Sequence, residues 1–198
     1  MDFVLRYRGP LAANGSVKQK HDIRRAIHLQ LQELCKQEPL LEQARAETLP
    51  RAVLKGREVE VPRPLEVMYF AVALGGFQFV PVIHRPHELA CSLDILFLRR
   101  ERPGAIVQHG GDLDNRLKTL FDALRMPHDL SELGGITPSI PDERLYCLLE
   151  DDALITRVAV STQQLLEPLA QGEHPSTVEL LIHVTVQSTY PMWANVGF

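Results

Sequence analysis

The sequence predicts an α+β domain in which helices pack on a mixed β-sheet. Strand-like segments with apolar residues at every second position are interleaved with two amphipathic helical segments, and turn residues separate them. The chain has 198 residues, of which 45% are hydrophobic and 23% are charged. This length and composition suit one globular domain, residues 1–198, with a sizeable core.

The amino-terminal elements follow from local signals. Residues 2–8 alternate as a strand does, and Gly9-Pro10 and Asn14-Gly15 mark turns. Ser16 is a favoured cap for a helix over about 17–37. One face of this helix carries most of its bases, and the opposite face carries a predicted core stripe of Ile23, Ala26 or Ile27, Leu31 and Leu34.

The middle of the chain begins with an extra segment, residues 37–64, which we interpret as an insertion. It is predicted to be mostly helical, with interruptions at Pro39 and Pro50, and to end by Arg63-Pro64. Strands at about 65–73 and 77–83 then form a predicted hairpin across Gly75-Gly76.

The clearest strand covers residues 89–99, with apolar side chains on both faces. Such a pattern indicates a buried central strand. Asp94 lies on it, and a buried carboxylate is costly unless it pairs with an Arg or reaches a functional site.

The carboxyl-terminal half is predicted to begin with a helix and to end with a strand. Its predicted elements are a helix at about 115–126, a loop insertion at about 127–144, strands at about 145–149 and 154–161, a short helix at 163–171, and a strand at 178–186.

Carboxylates are unusually dense around the 115–126 helix. Asp112 and Asp114 precede it, Asp122 lies within it, and Glu150-Asp151-Asp152 follows downstream. Crowded carboxylates repel, so one must take a proton or a cation must enter. A hard divalent cation with oxygen ligands satisfies this need, and the pattern therefore predicts a magnesium site.

The helical period separates two stripes on this helix. Leu117, Leu120, Phe121 and Leu124 form the predicted core stripe, and Asp114, Asn115, Lys118 and Asp122 form a polar one. Asp114 is the predicted N-cap, and Asp112 lies on the same side if residues 112–114 are extended. Lys118 and Asp122 also have the i,i+4 spacing of a plain helix-stabilising pair, so the polar stripe alone leaves both interpretations open.

The run Asp-x-Asp-Asn-x-x-Lys-x-x-x-Asp-Ala-Leu, followed later by Asp-Asp, resembles the RusA-like Holliday-junction resolvases. The resemblance is clearest from about Leu89 to Val160. It differs from the family pattern in the 28 residues, 123 to 150, that lie between Asp122 and Asp151, where the family usually has a much shorter gap.

This resemblance implies a RusA-like fold and a homodimeric endonuclease that cuts branched DNA in recombination and repair. The implied magnesium ligands are Asp112, Asp114 and Asp152, with Asp151 an accessory acid, and manganese is an expected substitute. Lys118 is the implied catalytic lysine, with Asn115 and Asp122 organising the site. Hydrolysis would leave 5′-phosphate and 3′-hydroxyl ends.

The formal net charge of −4 hides an asymmetry that suits such a substrate. Residues 1–30 carry six Lys or Arg against two Asp, whereas residues 112–152 carry ten acids against four bases. The bases of the first helix and those before the motif are candidate phosphate contacts, with solvated surface as the alternative. They are Lys18, Lys20, Arg24, Arg25, Arg99, Arg100 and Arg102.

Other classes fit the chain less well. No apolar run reaches the ~18 residues that span a membrane. The three cysteines are odd in number and widely spaced, which is typical of reduced thiols in a cytoplasmic protein. The competing function is a non-cleaving module on the same fold that binds nucleic acid or a protein. A nucleotide-sugar transferase would also use Asp-x-Asp, but no Gly-rich nucleotide loop accompanies it.

Overall fold

The computed structural model describes residues 1–37, 71–100, 113–140, 143–168, 170–174 and 176–190, and the backbone of two strands at 51–54 and 57–60. The elements in chain order are β1 (Asp2–Pro10), α1 (Val17–Gln37), β2 (Arg51–Leu54), β3 (Arg57–Glu60), β4 (Val72–Leu74), β5 (Phe77–Ile83), β6 (Leu89–Arg99), α2 (Leu113–Leu124), β7 (Glu143–Leu149), β8 (Ile155–Gln164) and β9 (Thr177–Ser188). Short 3₁₀ turns lie at Arg85–His87, Leu130–Leu133 and Asp152–Leu154. Within the described parts of the chain, no helix is long and apolar enough to cross a membrane.

Two mixed sheets form the framework, so the predicted α+β class is confirmed. The larger has the strand order β1-β9-β6-β8. Its β6–β8 pair is parallel, and its two other pairs are antiparallel. The smaller sheet has the order β4-β5-β7, with β5 and β7 parallel. The predicted hairpin across Gly75-Gly76 is the antiparallel β4–β5 pair.

Helices α1 and α2 contact each other, and both contribute to the main hydrophobic core. The first helix covers the predicted residues 17–37, and the Ser16 hydroxyl accepts a hydrogen bond from the Gln19 amide at 3.2 Å, as predicted for its cap. The buried core residues of the two helices recur every three or four positions, which is the spacing of one helix face. They are Ile23, Ile27 and Leu31 of α1 and Leu120, Ala123 and Leu124 of α2.

Strand β6 lies in the middle of the larger sheet, but it is buried on one face only. Cys91, Leu93, Ile95 and Phe97 are fully buried, whereas Asp94 on the opposite face is exposed and lies opposite His183 of β9. The predicted burial of Asp94 is therefore wrong. A carboxylate that remains hydrated pays no desolvation cost and needs no buried partner.

Two predictions of helix are wrong for the same physical reason. The segment 163–171 is predicted as a short helix, but its first two residues, Gln163 and Gln164, are the end of strand β8 and pair with Leu98 and Arg99 of β6. Part of the segment 37–64, predicted as mostly helical, forms the antiparallel hairpin β2–β3. In both cases hydrogen bonding to a partner strand, β6 for residues 163 and 164 and the neighbouring strand within the hairpin, overrides a weak local preference for helix. The rest of that segment and residues 61–70 of the predicted strand 65–73 lie outside the described residues.

Candidate functional site

Helix α2 carries the polar stripe that the sequence predicts. It begins at Leu113, so Asp114 lies in its first turn rather than at its cap. The Asp114 carboxylate accepts a hydrogen bond from the Asn115 amide at 2.8 Å, and the positive end of the helix dipole favours a negative charge there. Asp114 and Lys118 are exposed and Asn115 is half-buried. These side chains are therefore open to solvent on the face away from the core.

An open cleft of about 240 Å³ lies beside this stripe, between α2 and the turn that joins β1 to α1. Its lining consists of Asn14, Gly15, Lys20, Asn115, Lys118, Thr119 and Asp122. The Gly15 amide donates to the Thr119 hydroxyl at 2.9 Å, and that hydroxyl donates to the Asn115 carbonyl at 3.1 Å. These bonds hold the turn against the helix, so the cleft has two fixed walls.

Asp122 is the charged link between the two helices. The Lys20 ammonium lies 2.6 Å from its carboxylate, and the Arg125 guanidinium lies 3.5 Å from it. Among the ion pairs of the described residues, none joins Lys118 to Asp122. The i,i+4 pair that the spacing permits is therefore replaced by a contact between helices, and the exposed Lys118 lines the cleft.

Arg24 has a structural role, and its predicted role as a phosphate contact is wrong. Its side chain is 2% exposed. Its Nε donates to the Arg125 carbonyl at 3.1 Å and its Nη2 donates to the Asp122 carbonyl at 2.9 Å. The last carbonyls of a helix have no partner within the helix, and Arg24 supplies donors for them. It therefore fastens the end of α2 to α1.

We expect Arg24→Met to lower the free energy of unfolding by about 2 kcal/mol, because buried carbonyls would lose their donors. For a chain of this size, that loss corresponds to a melting temperature lower by about 4–8 °C. Thermal unfolding followed by circular dichroism measures it. The exposed Arg157 of β8 provides the matched control, and Arg157→Met should stay within about 0.5 kcal/mol. Equal melting temperatures for the two variants would contradict the fastening role.

Three other predicted phosphate contacts each form an ion pair with an acidic side chain. Lys18 is 80% exposed and pairs with Asp22 at 2.8 Å. Arg25 pairs with Glu143 at 3.1 Å, and Arg100 pairs with Glu173 at 3.1 Å. Their charges are partly compensated, as that of Lys20 is, but unlike Lys20 none of the three lines the cleft beside α2, which weakens their case as phosphate contacts.

Arg99 is 3% exposed, so its predicted role on a phosphate-contacting surface is wrong as well. It is the last residue of β6, and its alternating position places it on the buried face with Phe97. Arg102 lies outside the described residues.

Asp151 and Asp152 follow β7 near the end of α2, where the Met126 amide donates to the Leu149 carbonyl at 2.9 Å. Asp151 caps the 3₁₀ turn by accepting from the Ala153 amide at 2.8 Å. That hydrogen bond, with smaller contributions from Arg85, His128 and Asp152, lowers the pKa of Asp151 below its usual range. Asp151 therefore stays ionised at neutral pH. The side chain of Asp152 is exposed.

The Asp151 carboxylate also has two basic neighbours that the sequence did not predict. Arg85 and His128 each place a nitrogen 3.5 Å from its Oδ2. Arg85 comes from the 3₁₀ turn between β5 and β6, and His128 comes from the loop after α2. Neither forms a local pattern with Asp151, so only the fold brings the three together.

The predicted metal ligands are all carboxylates, which is the donor type that Mg²⁺ prefers. Within the residues that the structure describes, no three His, Cys, Asp or Glu side chains lie close enough to hold a metal ion. Asp114, Asp151 and Asp152 thus do not form a complete ligand set by themselves. Asp112, the remaining predicted ligand, lies outside the described residues, so the site stays a prediction.

Asn14 lines the cleft but is absent from the predicted set. Its φ is 55°, in the left-handed region that Asn adopts more readily than most residues. The dipeptide Asn14-Gly15 indicates a turn, but nothing local shows that this turn lies against α2.

Comparisons of the chain with protein-family models, with curated proteins and with solved structures find no match in any of the three. The resemblance to RusA-like resolvases therefore remains a prediction from the motif.

Proposed function

We propose that this protein is a RusA-like, magnesium-dependent endonuclease that cleaves branched DNA as a homodimer. The observation that carries the proposal is the shared cleft, in which Lys118 and Asn115 of the motif helix lie with Lys20 of α1. The Asp114 carboxylate lies in the first turn of the same helix. A cationic side chain for a phosphate, Lys118, and a carboxylate for a metal, Asp114, thus lie on one polar stripe, and Lys20 lines the same cleft from α1.

Asp112, Asp114 and Asp152 would hold the metal, with Asp151 as an accessory acid. When bound, Mg²⁺ supplies an activated water and stabilises the leaving oxygen of a phosphodiester. Asp151 is suited to an accessory role, because its Oδ1 is already bonded to the Ala153 amide and its Oδ2 faces two basic side chains.

Lys118 would stabilise the negative charge that develops on the phosphate oxygens during cleavage, as a preorganised cation does. Its place on α2 fixes the position of its Cα beside the cleft, and its flexible stem lets the ammonium reach a bound phosphate. Asp122 organises the cleft by fixing Lys20 and by pairing with Arg125. Asn115 offers a carboxamide that donates to phosphate or to sugar oxygens.

A non-cleaving module on the same fold is the second candidate. The contacts of Arg85 and His128 with Asp151 favour it, because a carboxylate that already faces the Arg85 cation and the His128 ring needs no metal. In that case the cleft would still bind a phosphate backbone, but the bound strand would not be cut.

The test of the proposed function is cleavage of a synthetic four-way junction by the purified protein. A matched duplex, a single strand and an RNA are assayed in parallel with magnesium, with manganese and with EDTA. We expect metal-dependent cutting that prefers the junction and leaves 5′-phosphate ends. Absence of cutting of every substrate by a folded protein that binds the junction would support the non-cleaving module instead.

A further inference from the structure

We infer that the cleft between the β1–α1 turn and α2 is a phosphate subsite, in which Asn14 contacts the substrate together with Lys20 and Lys118. This inference deepens the proposed function and depends on it for one point, that the phosphate belongs to a nucleic-acid backbone. It assigns a role to Asn14 and to the turn, which neither the motif nor the resemblance does.

The charges of the lining favour an anion. Lys20 and Lys118 contribute two positive charges, and Asp122 is the acid among the lining residues. The charge of Asp122 is also shared with Arg125 from outside the cleft. The cleft is therefore cationic overall and suits a phosphate better than a metal ion.

Lys20 can bind a phosphate without losing its present contact. An ammonium group has three donors, and the contact with the Asp122 carboxylate at 2.6 Å uses one of them. The same contact also orients the two remaining N–H groups, because the hydrogen bond to Asp122 restricts rotation of the Lys20 ammonium. Asp122 thus positions Lys20 as well as partly neutralising it.

Asn14 completes the opposite wall. Its side chain is exposed, and the bond from the Gly15 amide to Thr119 fixes the turn that carries it. Its carboxamide supplies two donors and an acceptor. A volume of about 240 Å³ is below the roughly 300–1,000 Å³ of pockets that enclose a drug-sized ligand, so the cleft suits one small group of a longer molecule.

The test measures binding of a fluorescein-labelled four-way junction in EDTA over a range of salt concentrations. Each phosphate contact contributes about 0.9 to the slope of log K against log salt on a duplex and about 0.7 on a single strand. We expect Lys20→Gln and Lys118→Gln each to reduce the slope by about this amount. Lys36→Gln is the matched control, since Lys36 lies in the last turn of α1 and pairs with Glu33 at 3.2 Å.

Asn14→Gly removes the carboxamide and keeps the positive φ, which Gly adopts without strain. It should weaken binding by about 2- to 10-fold, the loss of roughly one hydrogen bond. Glu88 is the other non-glycine residue with positive φ in the described chain, so Glu88→Gly controls for the backbone change. A melting temperature for each variant separates loss of contact from loss of fold.

The outcomes distinguish the subsite from the enzyme. Slopes that are unchanged in both lysine variants, with intact fold, would overturn the subsite even if the protein cuts DNA. Reduced slopes in a protein that cuts nothing would support the subsite and reject the nuclease. A third outcome is that inorganic phosphate binds in the cleft while Lys20→Gln, Lys118→Gln and Asn14→Gly all leave binding of the junction unchanged. It would assign the cleft to a small phosphate and overturn its assignment to a nucleic acid.

Discussion

Replacing Asp114 by asparagine should reduce magnesium-dependent cleavage of a four-way junction by more than about 100-fold, because loss of a mere outer-shell partner of a metal already costs about 10–100-fold. The carboxamide keeps the size of the side chain but removes the negative charge that a hard cation requires. Binding of the junction in EDTA should be unchanged or tighter, since one charge that repels phosphate disappears. Single-turnover cleavage and fluorescence anisotropy measure the two effects separately.

Asp94→Asn is the matched control for this experiment. Asp94 is an exposed aspartate on the outer face of β6, so the same chemical change there should leave cleavage and binding unaltered. Cleavage by Asp114→Asn at the parental rate would show that the metal is held elsewhere. Equal losses in both variants would point to a general effect of charge rather than to a ligand.

Acid should destabilise the protein between about pH 6.5 and pH 4.5, because buried histidines must remain neutral in the fold. Burial lowers the pKa of His84 to about 3, with a smaller contribution from His87, and it lowers the pKa of His87 and of His21 to about 4. His84 and His87 contact each other, with 3.0 Å between their ring nitrogens.

The direction of the effect follows from proton binding. Below pH 6.5 these histidines are protonated in the unfolded chain but neutral in the folded one. The unfolded state therefore binds more protons, and the free energy of unfolding decreases as the pH is lowered. Each histidine contributes at most about 1.4 kcal/mol per pH unit. The loss continues until the pH reaches the folded-state pKa of 3–4. Carboxylates with a lowered pKa, such as Asp151, add a loss of the same sign only below about pH 4.5, so the upper window reports on histidine.

Urea unfolding at pH 7, 6 and 5 measures this dependence. We expect His87→Gln to reduce the slope of the free energy of unfolding against pH by up to about 1.4 kcal/mol per pH unit relative to the parent protein. His183→Gln is the control, because His183 is exposed on β9 and should leave the slope unchanged. Stability that stays constant from pH 7 to pH 5 would contradict the burial of neutral histidines.

Local patterns predicted most of the elements. The bounds of α1, the alternation in β6 and the turn at Gly75-Gly76 each depend on residues that are close in sequence, and the structure confirms them. The polar stripe of α2 is also a local property, since helix geometry fixes which of its residues share a face. Asn115, Lys118 and Asp122 therefore line one cleft, as their spacing suggested.

Other features depended on distant partners. Alternation shows which residues of a strand share a face but not whether that face is covered, and for this reason Asp94 was wrongly expected to be buried. Residues 163 and 164 form a strand because β6 offers hydrogen-bonding partners. Arg24 is buried because the carbonyls at the end of α2 lie beside it. None of these partners is visible in a local window.

The sequence by itself determined the α+β class, the helix that carries Asp114 and Lys118, and the chemistry that a run of carboxylates with a lysine favours. Only the tertiary structure decided that Lys20 meets Asp122, that Asn14 faces α2, and that Arg85 and His128 meet Asp151. The physical reason is that side-chain periodicity is set within a few residues, whereas the pairing of charges and the walls of a cleft are set by the packing of elements far apart in the chain.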